Sequence, residues 1–575
     1  MRLTYSKSPN AINIFVIEDV NENGKRTTRV VEALGSVKEL EKKLNGEDPT
    51  KWAEDYVKKL NEKKKMEEET IIQKLSTAKQ IPKNEINSFQ SGYLFLQSIY
   101  HALGLDKIAQ SIAKESKVEY NLDSILSRLL YTRILNPSSK KSSYEASLNY
   151  LEPPDFSLHQ VYRALGLLSQ NSDKIEMQVY KNSLQVVKRN TKILYYDCTN
   201  YFFEIEEEDD FRKYGVAKQH KPNPLVQMGL FMDGSGIPLA ICINEGCANE
   251  QKSLKPLEKR IIKDFELSEF IVCTDAGLAS NDNRKFNNLQ NRAYVVTQSI
   301  KQLKAHLKTW ALEPTGWHLP GIDAEIDIRR VSQLSKNTRI YYKERWINEN
   351  GLSQRLVVTY SPKYRNYLRS IRSGQIVRAQ NIADKPAKLN QKRSNDPKRF
   401  ISSTHCTADG EIAKKQVLAL DTDRIAKEEQ YDGFYGVCTS LEGDIGDILK
   451  INQRRWEIEE SFRILKTELR ARPVYLSLED HIRAHFLTCF LSLLILRILE
   501  QKLNEEYTVQ DIIKTLKDMR LGPVKAKGYI PAYTRTDLTD KLHEIFGFHT
   551  DREVLSPTMM KKIFKATRDP KTLRK

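Results

Sequence analysis

Two short apolar runs in this chain each end on an aspartate. They are ILYY followed by Asp197 and FIVCT followed by Asp275. Runs of four or five apolar residues are too short for a helix and show no polar alternation. They read as strands buried on both faces, of the kind a parallel or mixed sheet requires. Around them lie FFEIE, which continues extended, and GLFMDGSGIPLAICINEG, two strands about a glycine-rich turn. An amphipathic helix follows from Lys252 to Phe265, and then a further strand, AYVVTQS. Strands interleaved with a helix in this way predict a mixed α/β sheet beginning near residue 191.

The chain has 575 residues, too many for one hydrophobic core, so roughly three to five structural units are expected. We divide it as follows. Residues 1–85 hold a β-hairpin (12–19 and 26–32 about Asn23-Gly24) and a polar helical stretch or linker containing Lys63-Lys64-Lys65 and Glu67-Glu68-Glu69. Residues 86–190 are helical, with Phe95, Ile99 and Leu103 near helical spacing, a stop at Asn136-Pro137 and a capping Ser157. That unit is basic enough to dock on DNA and equally reads as a scaffold. Residues 191–300 are the first part of the α/β core, and 301–430 a β-rich, basic stretch. Residues 431–500 are the second part of the core, with one long helix from about Asp447 to Arg470. Residues 501–575 are helical and end in a basic tail.

Composition limits the function classes. With 40% hydrophobic and 29% charged residues, the chain is neither mainly disordered nor a polytopic membrane protein. Lys and Arg number 92 against 75 Asp and Glu, a formal charge of +17, which favours a polyanionic partner, most often nucleic acid. Residues 361–400 carry eleven Lys and Arg against two Asp, a net of +9, and read as a DNA-backbone surface or a solvated loop. Seven scattered cysteines without a C-x-x-C pair suggest reduced thiols and an intracellular setting. No signal-peptide pattern opens the chain, and the apolar run Phe486–Leu499 reads as a buried helix.

Carboxylates at neighbouring strand ends can converge on a divalent cation, and Mg²⁺ prefers such oxygen ligands. An aspartate at a strand end is also an ordinary turn or cap residue. A third acid lies in INQRRWEIEESFRILKTEL. On a helical wheel with Arg455 at zero, Glu459 falls at roughly +40°, Lys466 at +20° and Asn452 at +60°. Ile451, Ile458, Phe462, Leu465 and Leu469 form an apolar stripe beside them. The stripe Arg455–Glu459–Lys466 presents cation, carboxylate and cation in a row. The plain alternative is an i,i+4 ion pair on a solvated face.

These motifs resemble the DDE transposases of bacterial and archaeal insertion sequences, in the insertion sequence 4-related branch and more closely the insertion sequence 1634 family. That branch carries a Y-x2-R-x3-E-x6-K signature, matched here at Arg455, Glu459 and Lys466 and departed from at Asn452. YYDCTNYFFE, VQMGLFMDGSGIPLA, CTDAGLASNDN and RRWEIEESFRILKTELRARPVY are similar to the family, as is the hairpin ending in VVEALGS. The resemblance implies an RNase H-like core interrupted by a β-rich insertion, between an N-terminal hairpin plus helical domain and a helical C-terminus. It implies that Asp197, Asp275 and Glu459 are the catalytic and metal-binding triad for two Mg²⁺ or Mn²⁺ ions. Arg455, Lys466 and Asn452 are the matching DNA-binding positions. The implied reaction is cleavage at the transposon ends, then attack of the freed 3′-hydroxyl on target DNA. The implied partners are terminal inverted repeats and target DNA, held by a homodimer in a synaptic complex. No membrane is involved, and the implied setting is the prokaryotic cytoplasm at the nucleoid.

The 184 positions between Asp275 and Glu459 leave room for the insertion. In relatives it places a Trp near a base flipped out of the duplex, and Trp310, Trp317 and Trp346 are candidates here, each also suited to a core. The acidic run Glu204, Glu206–Glu208, Asp209 and Asp210 reads as a solvated loop. His481 and His485 read as capping and packing residues, and Cys198 as a neighbour of the first acid without a chemical role. Two other functions are compatible: a transposase-derived DNA-binding protein that no longer cuts, and a metal-dependent nuclease of the same fold that does not join strands.

Overall fold

The computed structural model describes every residue except 9–10, 23–24, 45–47, 69–75, 216–221, 332–337, 385–395, 407–411, 526 and 575. The chain divides into two units, Met1–Glu85 with Val524–Gly528, and Ile86–Pro523 with Tyr529–Lys575. In the first, β2 (Ala11–Glu22) and β3 (Lys25–Ser36) form the expected hairpin, and its Asn23-Gly24 turn lies outside the described residues. A strand not anticipated, β1 (Arg2–Ser8), pairs antiparallel with β2. Ser36 caps α1 (Val37–Lys43) in a reciprocal box with Glu39. The longer α2 (Pro49–Glu68) follows, and Ile14, Leu40 and Ala53 make a small core.

The second unit opens with a two-residue strand, β4 (Phe89–Gln90), and six helices. They are α3 (Tyr93–Ala102), α4 (Leu105–Glu115), α5 (Leu122–Leu135), α6 (Lys140–Ser147), α7 (Leu158–Gln170) and α8 (Ser172–Ser183). Local chemistry sets several boundaries. α5 stops just before Asn136-Pro137, because the residue preceding proline is driven out of helical geometry. α7 begins at the Ser157–Gln160 capping box.

The α/β part begins with β5 (Ile193–Phe202), β6 (Leu225–Asp233) and β7 (Pro238–Glu245), an antiparallel meander. The helix α9 (Glu250–Asp264) then crosses to β8 (Phe270–Thr274), which pairs parallel with β5. The short α10 (Asn281–Phe286) leads to β9 (Arg292–Gln298), parallel to β8. The order across this half of the sheet is β7-β6-β5-β8-β9.

The stretch read as an insertion does not stand apart from the sheet. It contains α11 (Ala305–Leu312), β10 (Trp317–Leu319), β11 (Ile322–Ile326), α12 (Ile328–Val331), β12 (Tyr341–Glu349) and β13 (Leu352–Tyr360). Its four strands extend the same sheet through β16 (Phe434–Thr439), which pairs with both β13 and β9, giving ten strands in all. The basic segment is not β-rich. Ser361 caps a 22-residue helix, α13 (Pro362–Ala383), followed by the hairpin β14 (Ile401–Cys406) and β15 (Ile412–Leu420) and by α14 (Thr422–Glu429).

The long helix expected from Asp447 to Arg470 is two helices, α15 (Ile445–Gln453) and α16 (Trp456–Thr467). Between them the amides of Arg455, Glu457 and Ile458 reach back three residues rather than four, a tightened turn at Arg454-Arg455. α17 (Glu479–Lys502) is long and apolar enough by composition to cross a membrane. However, 94% of its apolar window is buried inside the protein, against α5, α7 and β7. The chain closes with α18 (Val509–Asp518), α19 (Asp537–Phe546) and α20 (Pro557–Thr567).

Helices cover both faces of the sheet near β5. Leu194, Tyr196, Cys198 and Val272 pack with Leu254, Leu257 and Ile261 of α9. Tyr195, Tyr201 and Cys273 belong to the larger core that contains Ile448, Ile458, Phe462 and Phe486 of α15, α16 and α17.

The turn between β6 and β7 is locked by a fully buried ion pair. Arg189 Nε donates to Asp233 Oδ2 at 2.6 Å, and Asp233 Oδ1 accepts the amides of Ser235 (2.9 Å) and Ile237 (3.1 Å). Replacing Arg189 by Met strands a buried carboxylate, so Arg189→Met is expected to lower the stability of the second unit by roughly 3–5 kcal/mol. Chemical denaturation followed by circular dichroism checks this, and a loss below about 1 kcal/mol would show that the pair is dispensable.

Candidate active site

Side-chain alternation along β5 decides what the first acid faces. Residues i and i+2 share a face of a strand. Tyr196 and Cys198 point to α9, where both meet the Ser253 hydroxyl, at 2.6 and 3.5 Å. Tyr195, Thr199 and Tyr201 point the other way. The Tyr195 hydroxyl donates to the Ile451 carbonyl of α15 at 3.0 Å, the Lys466 ammonium of α16 donates to Thr199 Oγ1, and Lys466 Nζ stands 5.7 Å from the Tyr201 ring centroid. Asp197 lies between Tyr195 and Thr199 in this alternation, on the α15–α16 face.

The second acid follows from the parallel register. Ile193, Leu194 and Tyr195 stand opposite Ile271, Val272 and Cys273. The paired register ends there: Asp197 lies two positions further along β5, and Asp275 lies two positions past Cys273, just beyond the end of β8. Cys273 packs with the α15–α16 side and feels the Arg455 charge. Each carboxylate is anchored by backbone. Asp197 Oδ1 accepts the Cys198 amide at 2.7 Å, and Asp275 Oδ1 accepts the Leu278 amide at 3.0 Å.

Glu459 sits in the first turn of α16 and is 57% exposed, with Arg455 Nη2 3.0 Å from its Oε1. The i,i+4 pair read from the sequence is therefore present. It is not a simple solvated pair, because Arg455 is largely buried. Burial opposes its charge, but Tyr435, Glu459 and Asp197 outweigh that and hold the Arg455 pKa above its ordinary value. One guanidinium is thus coupled to the first and third acids together.

Asn452 lies on α15, across the tightened turn, and its buried Oδ1 has no hydrogen-bond partner among the described residues. The structure thus brings Asp197, Arg455, Glu459 and Lys466 to one face of the sheet, and Asp275 follows the end of the neighbouring strand β8. It does not gather the three acids into a tight cluster. Among the described residues, the only three metal-competent groups whose ligand atoms all lie within 4.8 Å of one another are His543, His549 and Asp551, in the C-terminal region. There His543 Nδ1 is already engaged by the Phe548 carbonyl at 2.9 Å.

Sequence reading missed two participants, Thr199 and Tyr435. Thr199 was legible as the i+2 neighbour of Asp197. Tyr435 was not, because only the placement of β16 beside β9 brings it near Arg455, where its hydroxyl also meets Thr297 Oγ1 at 2.7 Å.

Of the tryptophans, Trp317 is fully buried and donates Nε1–H to the Glu313 carbonyl at 2.8 Å, a core residue. Trp310 is half-buried under the Arg345 guanidinium, 5.3 Å from its ring, and Trp346 is exposed on β12. Trp456, three positions before Glu459, is also exposed and was not among the sequence candidates.

The charge of residues 361–400 is less available than a count implies. Arg372 forms a buried pair with Asp432, and Arg399 pairs with Glu428 at 3.1 Å. Both partners lie beyond the counted window. Part of the basic stretch, 385–395, is outside the described residues.

No protein-family model matches the chain, and no curated protein matches it in sequence. Among solved structures, it is similar to the piggyBac transposase in a synaptic complex with hairpin DNA, at 10% identity and a TM-score of 0.36, over 85% of this chain and 87% of that one. It is also similar to the Mos1 transposase in a paired-end complex with the left transposon end, at 11% identity and a TM-score of 0.14, over 40% of this chain and 64% of that one. At these scores neither likeness carries weight for fold or activity.

Burial pushes the thiols of Cys198 and Cys273 up to about 12, so neither is a thiolate near neutral pH. Cys247 is exposed. Under native conditions at pH 8, iodoacetamide is expected to modify Cys247 and leave Cys198 and Cys273 untouched, as read by peptide mass spectrometry. Rapid labelling of Cys198 would reopen a nucleophilic role beside Asp197.

Proposed function

We propose that this chain is a DNA transposase of the insertion sequence 1634 type, a metal-dependent phosphoryl-transfer enzyme with an RNase H-like core. One observation carries the reading. Asp197 lies on β5 among residues that meet α15 and α16, its charge acts on Arg455 together with that of Glu459, and Asp275 directly follows the parallel neighbour β8. The meander-then-crossover order β7-β6-β5-β8-β9 supports the core assignment. The sequence motifs support the family.

The acids fit a divalent cation by donor chemistry, being hard carboxylate oxygens on a strand, just past the end of its parallel neighbour and in the first turn of a helix. Asp197, Asp275 and Glu459 are the residues that would hold Mg²⁺ or Mn²⁺. Two such ions would polarise the scissile phosphate and raise the nucleophilicity of the attacking oxygen. The protein side of the mechanism is positioning. The tight backbone anchors on Asp197 and Asp275 fix their carboxylates before substrate arrives, so little reorganisation is left to the reaction. Arg455 is held in the field of both Asp197 and Glu459 in the resting protein and offers a planar fork to a phosphate near the cut. Lys466, steadied by Thr199 and Tyr201, adds a point charge further along β5. Double-stranded DNA is the partner, as terminal inverted repeats and as target, with two copies pairing the ends.

Asn452 favours a second reading, a DNA-binding descendant that cuts poorly. A tyrosine at that position could both hydrogen-bond and stack, and the asparagine present leaves its own oxygen unpaired. Purified protein incubated with DNA carrying the element ends and Mg²⁺ separates the two, because only the enzyme cleaves. Strand transfer from pre-cut ends further separates a transposase from a nuclease.

For the enzyme, Asp197→Asn, Asp275→Asn and Glu459→Gln are each expected to lower cleavage at least about a hundredfold while DNA affinity stays within about twofold. Arg455→Gln and Lys466→Met should instead weaken binding and reduce the slope of log affinity against log salt by about one each. Undiminished cleavage by Glu459→Gln would remove Glu459 from the site.

A further inference from the structure

A cavity of about 500 Å³ opens between the start of α6, the segment after α16, and α17. Its charge is one-sided. Arg133, Lys140, Arg470 and Arg472 line it, and among the described residues no Asp or Glu does. Two of the cations lie at its floor, Arg133 at 3% and Lys140 at 4% exposure. The Arg133 guanidinium donates to the carbonyls of Ser138 (3.0 Å) and of Leu469 and Arg470 (3.3 Å each), and its Nε has no partner among the described residues. Lys140 forms no hydrogen bond or ion pair among the described residues, although it is more than nine-tenths buried.

A buried ammonium without a counter-charge costs several kcal/mol. Burial and the neighbouring Arg133 push its pKa down to about 7, and the same two cations, after burial itself, help hold the buried His485 well below its usual value. Among the described residues no carboxylate pairs with Lys140, and Arg133 repels its charge. The remaining lining is suited to an oxyanion. Ser138, Ser139 and Ser142 line the same space at the first turn of α6, whose N-terminus carries partial positive charge and is capped by Ser139. At the rim, Tyr162 and the 69%-exposed Tyr475 add aromatic surface of the kind a nucleoside packs against.

We propose that this cavity binds the phosphate monoester of a nucleotide, with Lys140 and Arg133 beneath the phosphate and Arg470 and Arg472 at its sides. The phosphate site stands by itself. Its assignment to a DNA 5′ end rests on the function proposed above. The position suits that source. Arg472 stacks over Phe202 at 5.4 Å, and Phe202 is five residues along β5 from Asp197, about 17 Å away at 3.3–3.4 Å per residue. A DNA strand rising about 3.4 Å per nucleotide covers that distance in about five steps. Arg455, Lys466 and Arg472 then form a row of cations leading from the acids to the cavity.

The test uses the full chain and two variants. Lys140→Met keeps an unbranched side chain one atom shorter and removes a buried charge, so its melting temperature should equal or exceed that of the wild type. Arg470→Gln alters only the exposed rim. Inorganic phosphate, against chloride at matched ionic strength, should raise the wild-type melting temperature, and that shift should vanish in Lys140→Met and shrink in Arg470→Gln. A 5′-phosphorylated DNA strand should bind the wild type about tenfold more tightly than the same strand with a 5′-hydroxyl, and equally tightly in Lys140→Met. No phosphate effect on the wild type, or an effect preserved in both variants, overturns the site. A phosphate effect with no preference for the 5′-phosphorylated strand overturns the DNA source and leaves a site for free phosphate. Absence of any DNA binding beside a normal phosphate response counts against the proposed function, not against the cavity.

Discussion

The parallel pairing of β5 with β8 is the constraint on which the candidate site depends. β5 also pairs antiparallel with β6, so its register is fixed from both sides. A slip of one residue would send Asp197 to the α9 face and Tyr196 to the other. That slip is prevented by buried contacts on both faces. Tyr196 and Cys198 are held at Ser253, while Tyr195 and Thr199 are held at Ile451 and Lys466. The first acid is aimed by its neighbours and by the Cys198 amide that its Oδ1 accepts.

Charge compensation is the second theme, and it is uneven across the molecule. At the carboxylates, Arg455 is coupled to Asp197 and Glu459 together, so removing either acid leaves the other still matched. In the basic helical segment, Arg372 and Arg399 are consumed by Asp432 and Glu428. At the cavity beside α6 there is no such matching. Two buried cations face three serines and a helix N-terminus. A chain with net charge +17 carries many cations that are structural, and the informative ones are those that the fold leaves without an acid.

Much of the architecture was legible because local rules act strongly in this chain. The apolar runs before Asp197 and Asp275, the Gly-Ser-Gly turn between β6 and β7, the proline stop after α5 and the cap at Ser157 each specify an element by short-range physics. The failures share a different cause. The helix carrying Glu459 was read as continuous because an amphipathic wheel does not register a tightened turn at Arg454-Arg455. The segment after Tyr360 was read as loop or strand because its basic residues mask a helix whose burial depends on ion pairs with distant acids. Strands β10 to β13 were read as part of a β-rich insertion, and nothing local says that they join the same sheet through β16.

The sequence by itself determined which residues could do chemistry and on what kind of element each would sit. Strand-end acids and a helical row of Arg455, Glu459 and Lys466 follow from periodicities that a single segment carries. Only the tertiary structure decided that these segments share a face, that Tyr435 and Thr199 join them, and that Arg133 and Lys140 meet Arg470 and Arg472 in one cavity. Those groups are separated by tens to hundreds of positions, and their proximity is set by sheet pairing and helix packing, which no local pattern encodes.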